Sequence, residues 1–211
     1  YSGTSGDICW VDMNILGEKT NDWNMVPIGC DLYNGISGIM LFYLFLYLET
    51  KKTDYLIYLK KCYRSLKYYL DSRKQFANHS QVLFGGFSGE TPIIYVLLLL
   101  KTRMAEHFNS DELDVYIYDI IDDLKKGYRN DENFDVLVGS AGAIIHLLNV
   151  FEVTRDEALL ILAHDIFSHL EKNSIKITIE GQDGRAWKGT MASNPLAGFA
   201  HGVSGIVWAL S

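Results

Sequence analysis

The stretch Leu196–Leu210, LAGFAHGVSGIVWAL, decides how this chain is read. His201 stands directly before Gly202, which opens a Gly-x-Ser-Gly pattern, and an apolar run follows. Three upstream segments carry the same pattern: Asp31-LYNGISGIMLF, Val82-LFGGFSGETPI and Asp135-VLVGSAGAIIH. The shared core is Gly-x-Ser/Ala-Gly, with first glycines at 35, 86, 139 and 202. Spacings of this size fit a repeating unit of two helices with loops.

Behind each glycine pair lies a segment apolar on nearly every side: IMLFYLFLYL, IIYVLLLL, AIIHLLNV and IVWAL. A helix of that kind must be buried all round. Between them lie segments with a helical period and one polar face. Residues 54–74 carry Leu56, Leu59, Tyr63, Leu66 and Leu70 against lysines and Arg64. Residues 110–126 carry Leu113, Ile117, Ile120, Ile121 and Leu124 against acids. Residues 154–172 open on a Thr154/Glu157 capping box and carry Leu159, Leu162, Ile166 and Leu170. Alternating inner and outer helices make an all-α chain, either an open solenoid or a closed α/α toroid. Both arrangements gather the glycine turns on one rim.

At those turns glycine permits close packing and positive φ beside the unpaired N–H groups of a helix start. A nucleophile elbow requires Gly-x-Ser-x-Gly, which this pattern lacks. Serine or alanine at that register therefore reads as a small packing residue.

Composition narrows the rest. With 211 residues, 48% of them hydrophobic, the chain can bury a sizeable core. A net charge of −7 with dispersed basic residues gives no reason to expect nucleic acid as a partner. Cys9, Cys30 and Cys62 form neither a Cys-x-x-Cys pair nor a metal-spaced Cys-His pair, which favours a reducing, cytoplasmic setting over a disulfide framework. The longest apolar run, residues 36–48, falls short of the roughly 18 residues a membrane span needs, so no transmembrane segment is expected. The sequence opens on Tyr1 and stops at Ser211 within an apolar pattern, and so reads as a piece of a longer chain.

Ionisable residues that break the repeat at its rim are the candidates for chemistry. The position before the first glycine is Asn34, Gly85, Val138 and His201; four before it stand Asp31, Val82, Asp135 and Gly198. His201 at a helix start, with Asp135 on the same rim, suggests a proton-exchanging pair in which the aspartate orients the imidazole; the competing reading is a histidine that caps a turn. Asp31 and Asp135 also suit N-cap positions. His146, on an inner segment, reads as an interior histidine. His79, His107, His164 and His169 read as loop or surface residues. The segment Lys176–Gly189, KITIEGQDGRAWKG, alternates and then turns, which predicts a short β-like hairpin on the rim of His201, inert or flap-like.

Taken in order, CDLYNGISGIMLFYLFLY, GGFSGETPIIYVL, FDVLVGSAGAIIHLL and NPLAGFAHGVSGIVWAL resemble the cyclase of lanthipeptide synthetases, the LanC-like fold, and within it the cyclase half of the class II, LanM-type, bifunctional enzymes. The resemblance spans essentially all 211 residues. It implies an α/α toroid of seven inner and seven outer helices, with about the first four repeats here. Residues 1–211 would then be a partial cyclase domain, with a covalently linked dehydratase domain before Tyr1. It further implies a lanthionine-forming reaction on a ribosomally made precursor peptide, in which cysteine thiols add to dehydroalanine or dehydrobutyrine and close thioether rings. A zinc ion binds the substrate thiol in that family. His201 of GFAHG falls where the resemblance places an acid/base, and Asp135 where it places an orienting partner. The family's Trp-Cys-x-Gly and Cys-His-Gly zinc motifs are missing, so the resemblance puts those ligands beyond residue 211 and expects no metal on these residues. Two competing functions are an α/α-toroid glycoside hydrolase using Asp31 and Asp135, with Tyr33, Phe87 and Trp187 as sugar platforms, and a noncatalytic peptide- or thiol-binding scaffold.

Overall fold

The computed structural model describes residues 6–15, 23–76 and 84–211, which form two compact units, Tyr1–Ser80 and Gln81–Ser211. His79 and Val82 lie outside the described residues. Helices dominate both units.

In the first unit, strands β1 (Val11–Ile15) and β2 (Trp23–Pro27) pair antiparallel with Met13 opposite Met25. Helices α1 (Ile36–Thr50) and α2 (Thr53–Phe76) follow and pack on each other. The link between them is tight because Lys51 takes a left-handed conformation, φ 57°, and its N–H closes on the Tyr47 carbonyl at 2.8 Å. Helix α2 buries Leu56, Leu59, Cys62, Tyr63, Leu66 and Leu70, the stripe its periodicity predicts plus the cysteine. Helix α1 departs from expectation. It buries Ile36, Met40 and Leu44, one residue per turn, while Phe42 and Phe45 are 60% and 49% exposed. Among the described residues of this unit α2 is the helix that packs along α1, and one neighbouring helix covers one stripe.

The second unit contains α3 (Ile93–Arg103), α4 (Ser110–Gly127), α5 (Ser140–Thr154), α6 (Glu157–Asn173), the antiparallel hairpin β3 (Ile175–Ile179) and β4 (Gln182–Ala186), and α7 (Val203–Leu210). Helix α5 packs on α3, α6 and α7, and α4 packs on α3, so inner and outer helices alternate as the pattern predicts. The inner helices α3 and α5 bury most of their residues, among them Ile93, Ile94, Leu97, Leu100, Ile144, Leu147 and Val150. The outer helix α4 buries Leu113, Ile117, Ile120, Ile121 and Leu124 and is capped by Asn109, whose side chain accepts from the N–H groups of Asp111 and Glu112.

Three local expectations need correcting. The Thr154/Glu157 capping box does not form. Thr154 ends α5, its hydroxyl donating to the Val150 carbonyl, and Asp156 caps α6 by accepting from Ala158 N–H at 3.1 Å. The stronger acceptor, one residue before the helix, takes the cap. In the second repeat the helix does not follow the glycine pair directly. Thr91 and Pro92 form a turn closed by Ile93 N–H on the Glu90 carbonyl at 3.0 Å, and Pro92, which has no N–H to donate, is the N-cap, so α3 begins at Ile93.

The third correction concerns the glycines. Gly35, Gly139 and Gly202 are the N-caps of α1, α5 and α7, and all three have extended backbone with negative φ. Only Gly89 of the repeat glycines uses positive φ, at 95°. Crowding is the reason for the others, most sharply at Gly142, where a Cβ would run into Gly86 N, Gly86 Cα and the Val136 carbonyl. Gly142→Ala should therefore lower stability by about 3 kcal/mol, the upper range for overpacking a core. Gly198→Ala, which meets nothing within 4 Å, should change it by less than about 0.5 kcal/mol. Urea unfolding followed by circular dichroism checks both.

Candidate functional site

The rim of the second unit is knitted by backbone hydrogen bonds between turns of successive repeats. Gly86 N–H donates to the Val136 carbonyl at 2.8 Å, and Phe87 and Ser88 N–H donate to the Leu137 carbonyl at 3.2 and 2.9 Å. Leu137 N–H donates onward to the Ala200 carbonyl at 3.1 Å. The turns around residues 86, 139 and 202 thus gather in one place, as their pattern predicts. The turn at Gly35 belongs to the other unit.

This stacking brings together Asp135 and His201, 66 residues apart in sequence. His201 Nδ1 lies 2.9 Å from Asp135 Oδ2. Asp135 is 3% exposed, whereas the His201 side chain keeps 26% of its surface open. The other carboxylate oxygen, Oδ1, accepts from Val138 N–H at 2.8 Å and Gly139 N–H at 3.2 Å. A carboxylate only accepts, so the shared proton belongs to His201 Nδ1 and leaves Nε2 as the nitrogen able to exchange a proton. His201 is held by its own loop: Val203 N–H donates to the Leu196 carbonyl at 2.9 Å, and the Ser204 hydroxyl donates to the Ala197 carbonyl at 2.6 Å.

Asp31 and Asp135 are not N-caps. Asp31 Oδ1 accepts from Asn34 N–H at 3.1 Å, and each aspartate closes the turn that leads to a glycine cap. The Ser/Ala register is a packing position in two repeats, where Ser37 and Ala141 are fully buried and the Ser37 hydroxyl donates to the Cys30 carbonyl, whereas Ser88 is half-buried and Ser204 is exposed.

The hairpin expected at 176–189 forms and is anchored. Trp187 Nε1 donates to the Leu170 carbonyl at 2.7 Å and Arg185 reaches Ser174 Oγ at 2.8 Å. Beyond it Thr190 donates to Asn133 Oδ1 at 2.5 Å, which places the returning chain beside the turn that carries Asp135.

Sequence reasoning missed Asp131. This aspartate is buried, and its two oxygens accept from three backbone N–H groups: Asn133 at 3.0 Å, Phe134 at 3.2 Å and Ser140 at 2.7 Å. Phe134, next to Asp135, sits in the left-handed region at φ 64°, a conformation that costs a phenylalanine about 1–3 kcal/mol. The available signal was an acid four residues before Asp135 in a segment with no helical period. His169 is likewise no plain surface residue. Its Nε2 lies 3.1 Å from the Asp131 carbonyl, and its ring packs edge-on to Tyr128 and against Phe134. His164 is exposed and stacks on Phe167, and the half-buried His107 reaches Glu106 at 3.2 Å.

His146 stands behind the rim, fully buried on α5, with Nε2 2.9 Å from the Gly86 carbonyl and Nδ1 unpartnered among the described residues. Burial pulls its pKa down to about 4, against a smaller upward effect of the Gly86 bond. It is a neutral strut that holds the second repeat's turn.

Zinc does not fit these side chains. Among the described residues no group of three His, Cys, Asp or Glu side chains is placed to hold a metal ion. Cys9 is exposed, and burial pushes the Cys62 thiol up to about 12. Among the described residues no helix is long and apolar enough to cross a membrane.

The family model described as lanthionine synthetase C-like protein matches residues 26–211, which include all four glycine turns. No curated protein matches the chain significantly.

The low pKa of His146 has a sign that can be measured. The unfolded chain binds a proton near pH 6.5 and the folded one only near pH 4, so this contribution to stability is complete above pH 6.5 and declines as pH falls toward 4. Between pH 7 and pH 5 it should cost roughly 2 kcal/mol. His146→Phe, unfolded in urea at the same pH values, should lose that part of the pH dependence.

Proposed function

The chain belongs to the lanthionine synthetase C-like family, and on that footing we propose that Asp135 and His201 form the proton-transfer pair of a thioether-forming cyclase of the class II, LanM type. Its substrate is a precursor peptide already dehydrated by an upstream domain, handled in the cytoplasm. The observation that carries the reading is the 2.9 Å contact between a buried carboxylate and a partly open imidazole, built from two repeats.

The reaction needs a proton moved twice. A cysteine thiol loses its proton, and the sulfur adds to the β-carbon of dehydroalanine or dehydrobutyrine. The double-bond electrons move toward the carbonyl, giving an enolate, and the α-carbon then takes a proton. The C–S bond forms at the expense of a C=C π bond, and no net proton is gained or lost. His201 Nε2 is the group that takes or returns that proton. Asp135 keeps the opposite nitrogen protonated and the ring oriented, and it stabilises the imidazolium when the ring is charged. Zinc, when bound in such a cyclase, supplies a lower thiol pKa; the described residues do not fit it, and its ligands are proposed to follow residue 211.

The hydrolase alternative draws no support from this geometry. Both oxygens of Asp135 are engaged, one by two backbone amides and one by His201, which suits an orienting carboxylate better than an acid that must protonate a glycosidic oxygen. A scaffold that only binds peptide gives no account of a buried Asp aimed at an open His.

In the full-length, zinc-loaded protein given a dehydrated precursor peptide, His201→Asn should slow ring closure by about 10²–10⁴-fold, the range for loss of a general acid or base. Asp135→Asn should slow it by a similar factor. Ring closure leaves peptide mass unchanged, so free thiols are counted by alkylation and mass spectrometry over time. Equal rates for wild type and a folded His201→Asn would make His201 a turn residue, and no thiol loss even with wild type would favour a binding scaffold.

A further inference from the structure

We propose that Asp131 is the positioning residue that aims the Asp135 carboxylate at His201, an inference that rests on the proton-transfer reading above. The chain from Asp131 to Gly139 has no helix or strand to hold it, yet it must present a buried carboxylate at hydrogen-bond distance from a ring 66 residues away. Asp131 supplies the missing order. Its Oδ1 holds Asn133 N–H, and its Oδ2 holds Phe134 N–H and Ser140 N–H. These amides bracket Asp135, one immediately before it and one at the first residue of α5.

The bond to Ser140 has a specific cause. The N-cap of α5 is Gly139, which has no side chain to satisfy the first amides of the helix, and no side-chain cap is made there. The Asp131 carboxylate, nine residues upstream, fills that need and places negative charge at the positive end of the helix. The same oxygen ties down Phe134, whose left-handed φ of 64° fixes the direction in which Asp135 leaves the backbone. Rotation about that one bond would swing every atom of Asp135 that follows it. His169 adds a clamp from α6: its Nε2–H donates to the Asp131 carbonyl, and its ring rests on Phe134 at 5.8 Å between centroids. Asp131 acts through Asp135 and touches no reacting atom.

The test uses full-length protein with histidine rings labelled by ¹⁵N. In wild type the His201 Nδ1–H held by a carboxylate should give a low-field proton resonance, assigned by its loss in His201→Asn and in Asp135→Asn. Asp131→Ala should lose this resonance and lower kcat for thiol consumption at least tenfold, with KM within twofold. Asp131→Asn keeps an oxygen for Phe134 and Ser140 and loses the Asn133 bond, so it should retain a weakened resonance with kcat lowered two- to fivefold. A folded Asp131→Ala with resonance and kcat both at wild-type values overturns the proposal. Should that variant not fold, Asp131→Asn decides: weakening of both readouts supports the proposal and wild-type values of both overturn it. Loss of the resonance in Asp131→Ala alongside a fully active His201→Asn would uphold the positioning role and overturn the proton-transfer reading instead.

Discussion

The rim of the second unit rests on a close approach between stretches of backbone, with no side chain between them. Gly86 and Gly142 face each other where any Cβ on Gly142 would collide with the neighbouring turn, and the backbone bonds from Gly86 to Val136 and from Leu137 to Ala200 follow from that proximity. With side chains interposed, the turns would separate and the carbonyls and amides between them would lose their partners, a cost no buried peptide group escapes without water. The turns of Asp135 and His201 are joined in turn by the bond from Leu137 N–H to the Ala200 carbonyl. A pair of side chains on two loops becomes a defined pair because the loops are fastened through their main chains.

The chemistry of the pair follows from unequal burial. Asp135 is sealed in and given two amide donors besides the imidazole, so it has little freedom and a fixed role as acceptor. His201 stays partly open, as the proposed exchange of protons with a substrate requires. Division of labour between a buried orienting acid and an accessible imidazole recurs on unrelated folds. The proposed pair is assembled from the turns of two successive repeats.

Much of this was legible in the sequence because repetition turns weak signals into strong ones. One Gly-x-Ser-Gly says little, but four in register gave the alternation of helices, and the ionisable residues at its rim positions were Asp31, Asp135 and His201, of which the fold brings the last two together. The outer helices followed from period alone, down to the buried residues of α4. What was hidden depends on relations between distant residues. Of the two uses expected of the glycines, positive φ holds at Gly89, while close packing is the reason at the others: Gly35, Gly139 and Gly202 are crowded by the backbone of their own turns, and Gly142 by Gly86, more than fifty residues away in sequence. Asp156 outcompeted Thr154 for the α6 cap, a contest between two good candidates that position alone does not decide. Asp131 and His169 escaped notice because neither breaks the repeat; their importance lies in which amides and carbonyls a folded loop presents to them.

The separation of Asp135 from His201 along the chain has a bearing on how the molecule comes into being. Paired helices such as α3 with α4, or α5 with α6, join neighbours in sequence and can form early, since short loops close at little entropic cost. The acid–imidazole contact closes only after α6 and the β3–β4 hairpin have been made and the GFAHG turn has docked. During synthesis a ribosome-bound chain would therefore hold a helical scaffold well before it holds the contact between Asp135 and His201.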